Sequence, residues 1–167
     1  MEFVLKIVFV LLLVGVAALV AHIVDKIREG ITPLDRMSFR ETMDLTGLPI
    51  VTFRQGENKI NFILDTGAAA SLVDKKVLDF IEYTEIEGNK KTFGVDGNIH
   101  VMQQIGIVLS YKGKDYSEVF TVHDMSVSFG RMKSEYGVTI HGLLSSTFFE
   151  RYKYILDFKE LVAYSKV

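Results

Sequence analysis

Ile7 to Ala21 is an unbroken apolar run, IVFVLLLVGVAALVA, and it constrains the 167-residue chain more than any other feature. Extended to Phe3–Val24, it is interrupted only by Lys6 and His22, one near each end. A helix rises about 1.5 Å per residue, so about 20 residues cross a hydrocarbon core of roughly 30 Å. Both polar residues then fall within reach of a headgroup layer. The run is apolar around the whole helix rather than along one stripe, which disfavours a buried core helix. Ala18 and Ala21 do not compose an A-x-A cleavage site, and the run is long for a signal peptide. The sequence therefore predicts an uncleaved, single-pass transmembrane helix over residues 1–24.

Charge sets the expected orientation. Lys26, Arg28, Arg36 and Arg40 follow the run, against Lys6 and the α-amine before it. By the positive-inside rule the C-terminal domain is expected on the cytoplasmic side. Residues 25–45 are mixed and charged, with Thr32-Pro33 as a breaker, and read as a juxtamembrane linker. Residues 46–167 remain for one compact domain. Over the whole chain 19 Lys and Arg stand against 21 Asp and Glu, a net charge of −2, which argues against a nucleic-acid partner. With no cysteine, disulfides, thiolate metal sites and a cysteine nucleophile are excluded. His100, His123 and His141 are scattered, and His123-Asp124 lacks ligand spacing, so neither a metal nor another cofactor is expected.

From Leu48 the periodicity becomes that of strands. Pro49 to Arg54 alternates, Gln55 to Lys59 supplies a turn, and Ile60 to Leu64 resumes. Lys91–Phe93 and Ile99–Met102 flank a turn containing Asp96-Gly97, and Ile105–Tyr111 and Tyr116–Val122 flank Lys112 to Asp115. A last hairpin, Ile155–Phe158 with Leu161–Tyr164, carries Asp157. Asp74–Phe80 and Ser145–Tyr152 are helical candidates, the second with Ser145 or Ser146 as cap and Phe148, Phe149 and Tyr152 on one face. Met125 to Tyr136 reads as a polar surface insertion. The fold class is all-β, a small closed barrel or sandwich with one or two short helices.

Asp65-Thr66-Gly67 leaves the apolar strand Ile60–Leu64 and runs into Ala68-Ala69-Ala70-Ser71. A carboxylate in such a turn is surrounded by backbone donors, and the small residues after it allow close approach. Three letters alone are weak evidence, and the plain alternative for Asp65 is a structural turn or cap residue.

With its neighbours, the segment resembles the retropepsin-like (retroviral-type, clan AA) aspartic proteases over roughly Leu48–Tyr164. Asp65-Thr66-Gly67-Ala68 is similar to the family's D-T-G-A. Phe93-Gly94-Val95-Asp96-Gly97 stands where the family has a glycine-rich flap, and Thr139 to Leu144 resembles its hydrophobic-hydrophobic-glycine element. Two departures are His141, at a place that is usually apolar, and Ala69-Ala70, where some relatives carry acidic or polar residues. The resemblance implies Asp65, Thr66 and Gly67 as catalytic residues, and Ala68 and Phe93 to Gly97 as substrate-binding neighbours. It also implies a peptide or protein substrate. Thr66 would brace paired loops, and Gly67 would leave the carboxylate in reach of N–H groups.

Aspartic proteolysis needs two adjacent carboxylates sharing one proton. The chain has a single D-T-G, so activity implies a homodimer pairing two copies of Asp65. A membrane anchor would favour that pairing by raising effective concentration. The runner-up reading is a catalytically silent dimeric binding or scaffold module on the same fold.

Overall fold

The computed structural model describes residues 14–24, 36–93 and 99–165. The chain divides into two compact units, Met1–Leu34 and Asp35–Val167. In the first, residues 14–24 form a helix, α1. No helix among the described residues is long and apolar enough to cross a membrane. This overturns the predicted transmembrane helix over 1–24 and the single-pass, cytoplasm-facing localisation drawn from it. The rest of that run, residues 1–13, lies outside the described residues.

The second unit is mostly β. It contains β1 (Met37–Ser38), α2 (Arg40–Thr46), β2 (Ile50–Gln55), β3 (Asn58–Leu64), β4 (Ser71–Asp74) and a 3₁₀ turn (Lys75–Asp79). Then come β5 (Thr84–Phe93), β6 (Ile99–Tyr111), β7 (Lys114–His123), α3 (Ser126–Tyr136), β8 (Gly142–Leu144), α4 (Ser146–Tyr152), β9 (Tyr154–Asp157) and β10 (Val162–Ser165). Among the described residues of this unit three α-helices exceed the one or two expected, because the supposed polar insertion is α3 and part of the supposed linker is α2.

The predicted hairpins form where alternation is strict. β2 pairs antiparallel with β3 through Gly56-Glu57, burying Ile50, Val51, Phe53, Ile60, Phe62 and Leu64. The β6–β7 hairpin turns through Lys112 and Gly113, both with positive φ (49° and 82°). That is the handedness that matches the twist of antiparallel strands. Strand order β2-β3-β8-β4-β7-β6 closes where Arg54 of β2 meets Ser110 of β6, giving a six-stranded barrel with β5 outside it on β6. The Asp74 side chain caps the 3₁₀ turn by accepting from the Lys76 N–H at 3.1 Å.

β8 is the short wedge of this barrel, parallel to β3 and antiparallel to β4. A Cβ at Gly142 would overlap the Leu72 carbonyl oxygen and the Phe62 ring, so glycine lets the three backbones meet. α4 packs Phe148 and Phe149 into the core. Phe148 is fully buried against Phe53 (6.3 Å between ring centroids), Tyr116 (5.8 Å) and Tyr154 (5.9 Å). β1, β10 and β9 make a separate three-stranded sheet that carries Met37 and Ala163 into the same core. α3 covers a smaller cluster of Phe129, Ile50 and Ile140, joined by Leu48, Ile63, Met125, Met132 and Val138.

Candidate active site

The loop between β3 and β4 carries Asp65, Thr66, Gly67 and Ala68. Asp65 and Ala68 are half-buried, whereas Thr66 and Gly67 are exposed. The Gly67 N–H donates to Asp65 Oδ1 at 2.9 Å, which fixes one carboxylate oxygen. A Cβ on Gly67 would lie 3.3 Å from that same oxygen, so the close N–H approach favours a residue without a side chain.

Three consecutive residues at the end of β8 grip this loop. The Asp65 N–H donates to the Leu144 carbonyl at 2.9 Å, at the loop's start. Ser146 donates to the Ala68 carbonyl from its N–H (3.1 Å) and from Oγ (3.0 Å), in the middle. The Ser145 N–H donates to Ser71 Oγ at 3.1 Å, where the loop enters β4. Leu64 and Leu144 are partners in the parallel β3–β8 pair, so the strand register itself delivers Asp65 to this position.

Behind the loop lies a polar group the sequence reading did not single out. Tyr116, Glu118 and Phe120 alternate inward along β7, and Glu118 is 3% exposed. Its Oε1 accepts from Ser71 Oγ at 2.8 Å, and its Oε2 meets Arg151 Nη1 of α4 at 2.9 Å. Burial raises the Glu118 carboxyl above its ordinary range, while the Ser71 hydrogen bond and the Arg151 charge pull it back down. A Glu in phase with inward aromatic residues is the signal that marks it.

His141, the departure from the apolar pattern, is half-buried. Its Nδ1 accepts from the Asn61 N–H at 2.9 Å, and its backbone bonds the Asn61 carbonyl (2.9 Å) and the Asp74 N–H (2.8 Å). Burial lowers its pKa against the opposing pull of Asp74, consistent with a neutral ring that accepts at Nδ1. It thereby extends the β3–β8 ladder by one side-chain bond.

Of the expected flap, Phe93 ends β5 and pairs through its backbone with Ile99 of β6, so a long hairpin does emerge there. Gly94, Val95, Asp96 and Gly97 lie outside the described residues. Among the described residues no cluster of His, Asp and Glu is arranged to hold a metal ion.

No family model matches the chain, and no curated protein matches it. Solved structures do match, among them the crystal structure of the retroviral protease-like domain of Ddi1 from Leishmania major. The TM-score is 0.38 and the identity 12%, over 70% of this chain and 91% of that one.

Proposed function

We propose that the barrel is one half of a homodimeric aspartic endopeptidase of the retropepsin-like kind. The observation that carries this reading is the Asp65 loop: a half-buried carboxylate, held at one oxygen by the Gly67 N–H and gripped by Leu144–Ser146. One such carboxylate is half of the needed chemistry. In the proposed dimer two copies of Asp65 face each other and share a proton, because two charges at that separation are strongly disfavoured. The ionised member takes a proton from a bound water as it attacks the scissile carbonyl carbon. The protonated member donates to the carbonyl oxygen, giving a neutral gem-diol. On collapse, the leaving nitrogen is protonated by one carboxyl, the C–N bond breaks, and the diol proton returns to the other.

The test is peptide cleavage by the full-length chain and by Asp65→Asn, across acidic to neutral pH and with a diverse peptide mixture. The expected loss is at least about a hundredfold, the lower end of what a positioned acid–base group contributes. Equal cleavage by both proteins overturns the assignment to Asp65. No cleavage by a confirmed wild-type dimer turns the reading to the silent scaffold.

A further inference from the structure

Glu118 poses a problem that the barrel's stability does not explain. A carboxylate buried to 3% exposure costs several kcal/mol to desolvate, and apolar residues of similar volume often serve as well or better. Its two partners show what it is joined to. Ser71 closes the Asp65 loop, and Arg151 belongs to α4, whose preceding residue Ser145 is held by Ser71.

The hydroxyls of this cluster form a chain with one possible direction when Glu118 is ionised. A carboxylate only accepts, so Ser71 must donate to Glu118 Oε1. The Ser71–Ser145 Oγ contact (3.2 Å) must then be donated by Ser145, whose single hydroxyl proton is thereby used. The Ser145–Thr147 contact (2.7 Å) must in turn be donated by Thr147. Ser71 Oγ keeps both lone pairs for Ser145, one for its N–H and one for its hydroxyl. With Glu118 ionised, the carboxylate fixes the direction of the chain, and Ser71 Oγ accepts twice from Ser145.

We infer that Glu118 is a positioning residue for the candidate catalytic loop: through Ser71 it locks residues 65–71 to the Leu144–Ser146 segment, with Arg151 holding the carboxylate in place. Its bearing on catalysis rests on the proposed peptidase reading, but the lock itself is a property of the fold.

Two variants of the full-length chain separate positioning from stability. Ser71→Ala removes the hydroxyl. Glu118→Leu with Arg151→Met replaces the buried pair by apolar groups of similar volume, a change that commonly leaves a protein as stable or more so. Amide hydrogen exchange is read at Asp65, Ser145 and Ser146, with β6 and β7 amides as internal controls, beside the thermal midpoint. The expected result for the double variant is about tenfold faster exchange at the grip amides, as one lost hydrogen bond predicts, with control amides and midpoint held or raised. Grip amides exchanging as in wild type in both variants overturn the inference. So does acceleration spread evenly over the barrel with a falling midpoint, which is a purely structural role. Where wild type cleaves peptides, kcat should fall in the double variant with KM unchanged. A wild type that cleaves nothing fails the peptidase reading, and the exchange data still decide the lock.

Discussion

Asp65 and Glu118 are two carboxylates on neighbouring parts of one barrel, and they are held in opposite ways. Asp65 is half-buried at a loop, and one of its oxygens is fixed by a neighbouring N–H. Glu118 is 3% exposed and held by a hydroxyl on one side and a guanidinium on the other. An accessible, lightly held carboxylate suits chemistry on an incoming molecule. A sequestered, doubly held one suits placing other groups. Mutations should therefore separate function from stability according to which carboxylate they touch.

The largest stability effect is expected at the buried member. Glu118→Ala leaves Ser71 and Arg151 facing an unfilled site and should cost about 3 kcal/mol in urea unfolding, whereas Asp65→Asn should cost less than about 1 kcal/mol. Equal costs would break the comparison. Next is Arg151→Met alone, which takes the guanidinium from the buried carboxylate and leaves it the Ser71 hydrogen bond. Arg151 is about half exposed, so the loss should be nearer about 2 kcal/mol, with the Glu118 pKa rising further in a carboxyl-resolved NMR titration. Smaller again is Gly67→Ala. Its Cβ would press on Asp65 Oδ1, costing about 1 kcal/mol or less in stability while lowering any peptidase activity several-fold.

The smallest effects concern pH, and they have opposite signs. Glu118 has a raised folded pKa, so the protonated form is favoured in the fold. Its contribution is complete below its ordinary value of 4.5 and lost as pH rises through the raised value. His141 has a lowered folded pKa. Its contribution is complete above its ordinary value of 6.5 and lost as pH falls through the lowered one. Thermal midpoints between pH 4 and 8 should show Glu118→Gln removing part of the loss on the alkaline side. His141→Asn, which keeps an acceptor for the Asn61 N–H, should remove part of the loss on the acidic side.

Much of the barrel was legible because its strands alternate strictly, as in Val51-Thr52-Phe53 and Leu109 to Phe120, with glycine where turns need it. The D-T-G loop was legible because it follows directly on a buried strand. β1 and α2 were not, since Met37 and Phe39 are buried by packing with residues near Ala163 and Phe158, far along the chain. α3 did leave a trace: Met125, Phe129 and Met132 recur at helical spacing, but Arg131, Lys133 and Glu135 among them gave the segment a polar look. The N-terminal run reads as a span by composition, and no helix among the described residues is long and apolar enough to cross a membrane. The grip of Leu144–Ser146 on Asp65, Ala68 and Ser71 joins residues more than seventy positions apart, and a single sequence carries no pattern for it.

The central claim is that two Asp65 carboxylates make one site, and subunit mixing tests it most directly. Wild-type chain is allowed to exchange fully with an equal amount of Asp65→Asn chain at fixed total concentration, and peptide cleavage is compared with wild type alone. With random pairing, only roughly one dimer in four carries two carboxylates, so activity should fall to about a quarter. A fall to about half would mean that each chain cleaves by itself, and the paired-carboxylate account would be wrong.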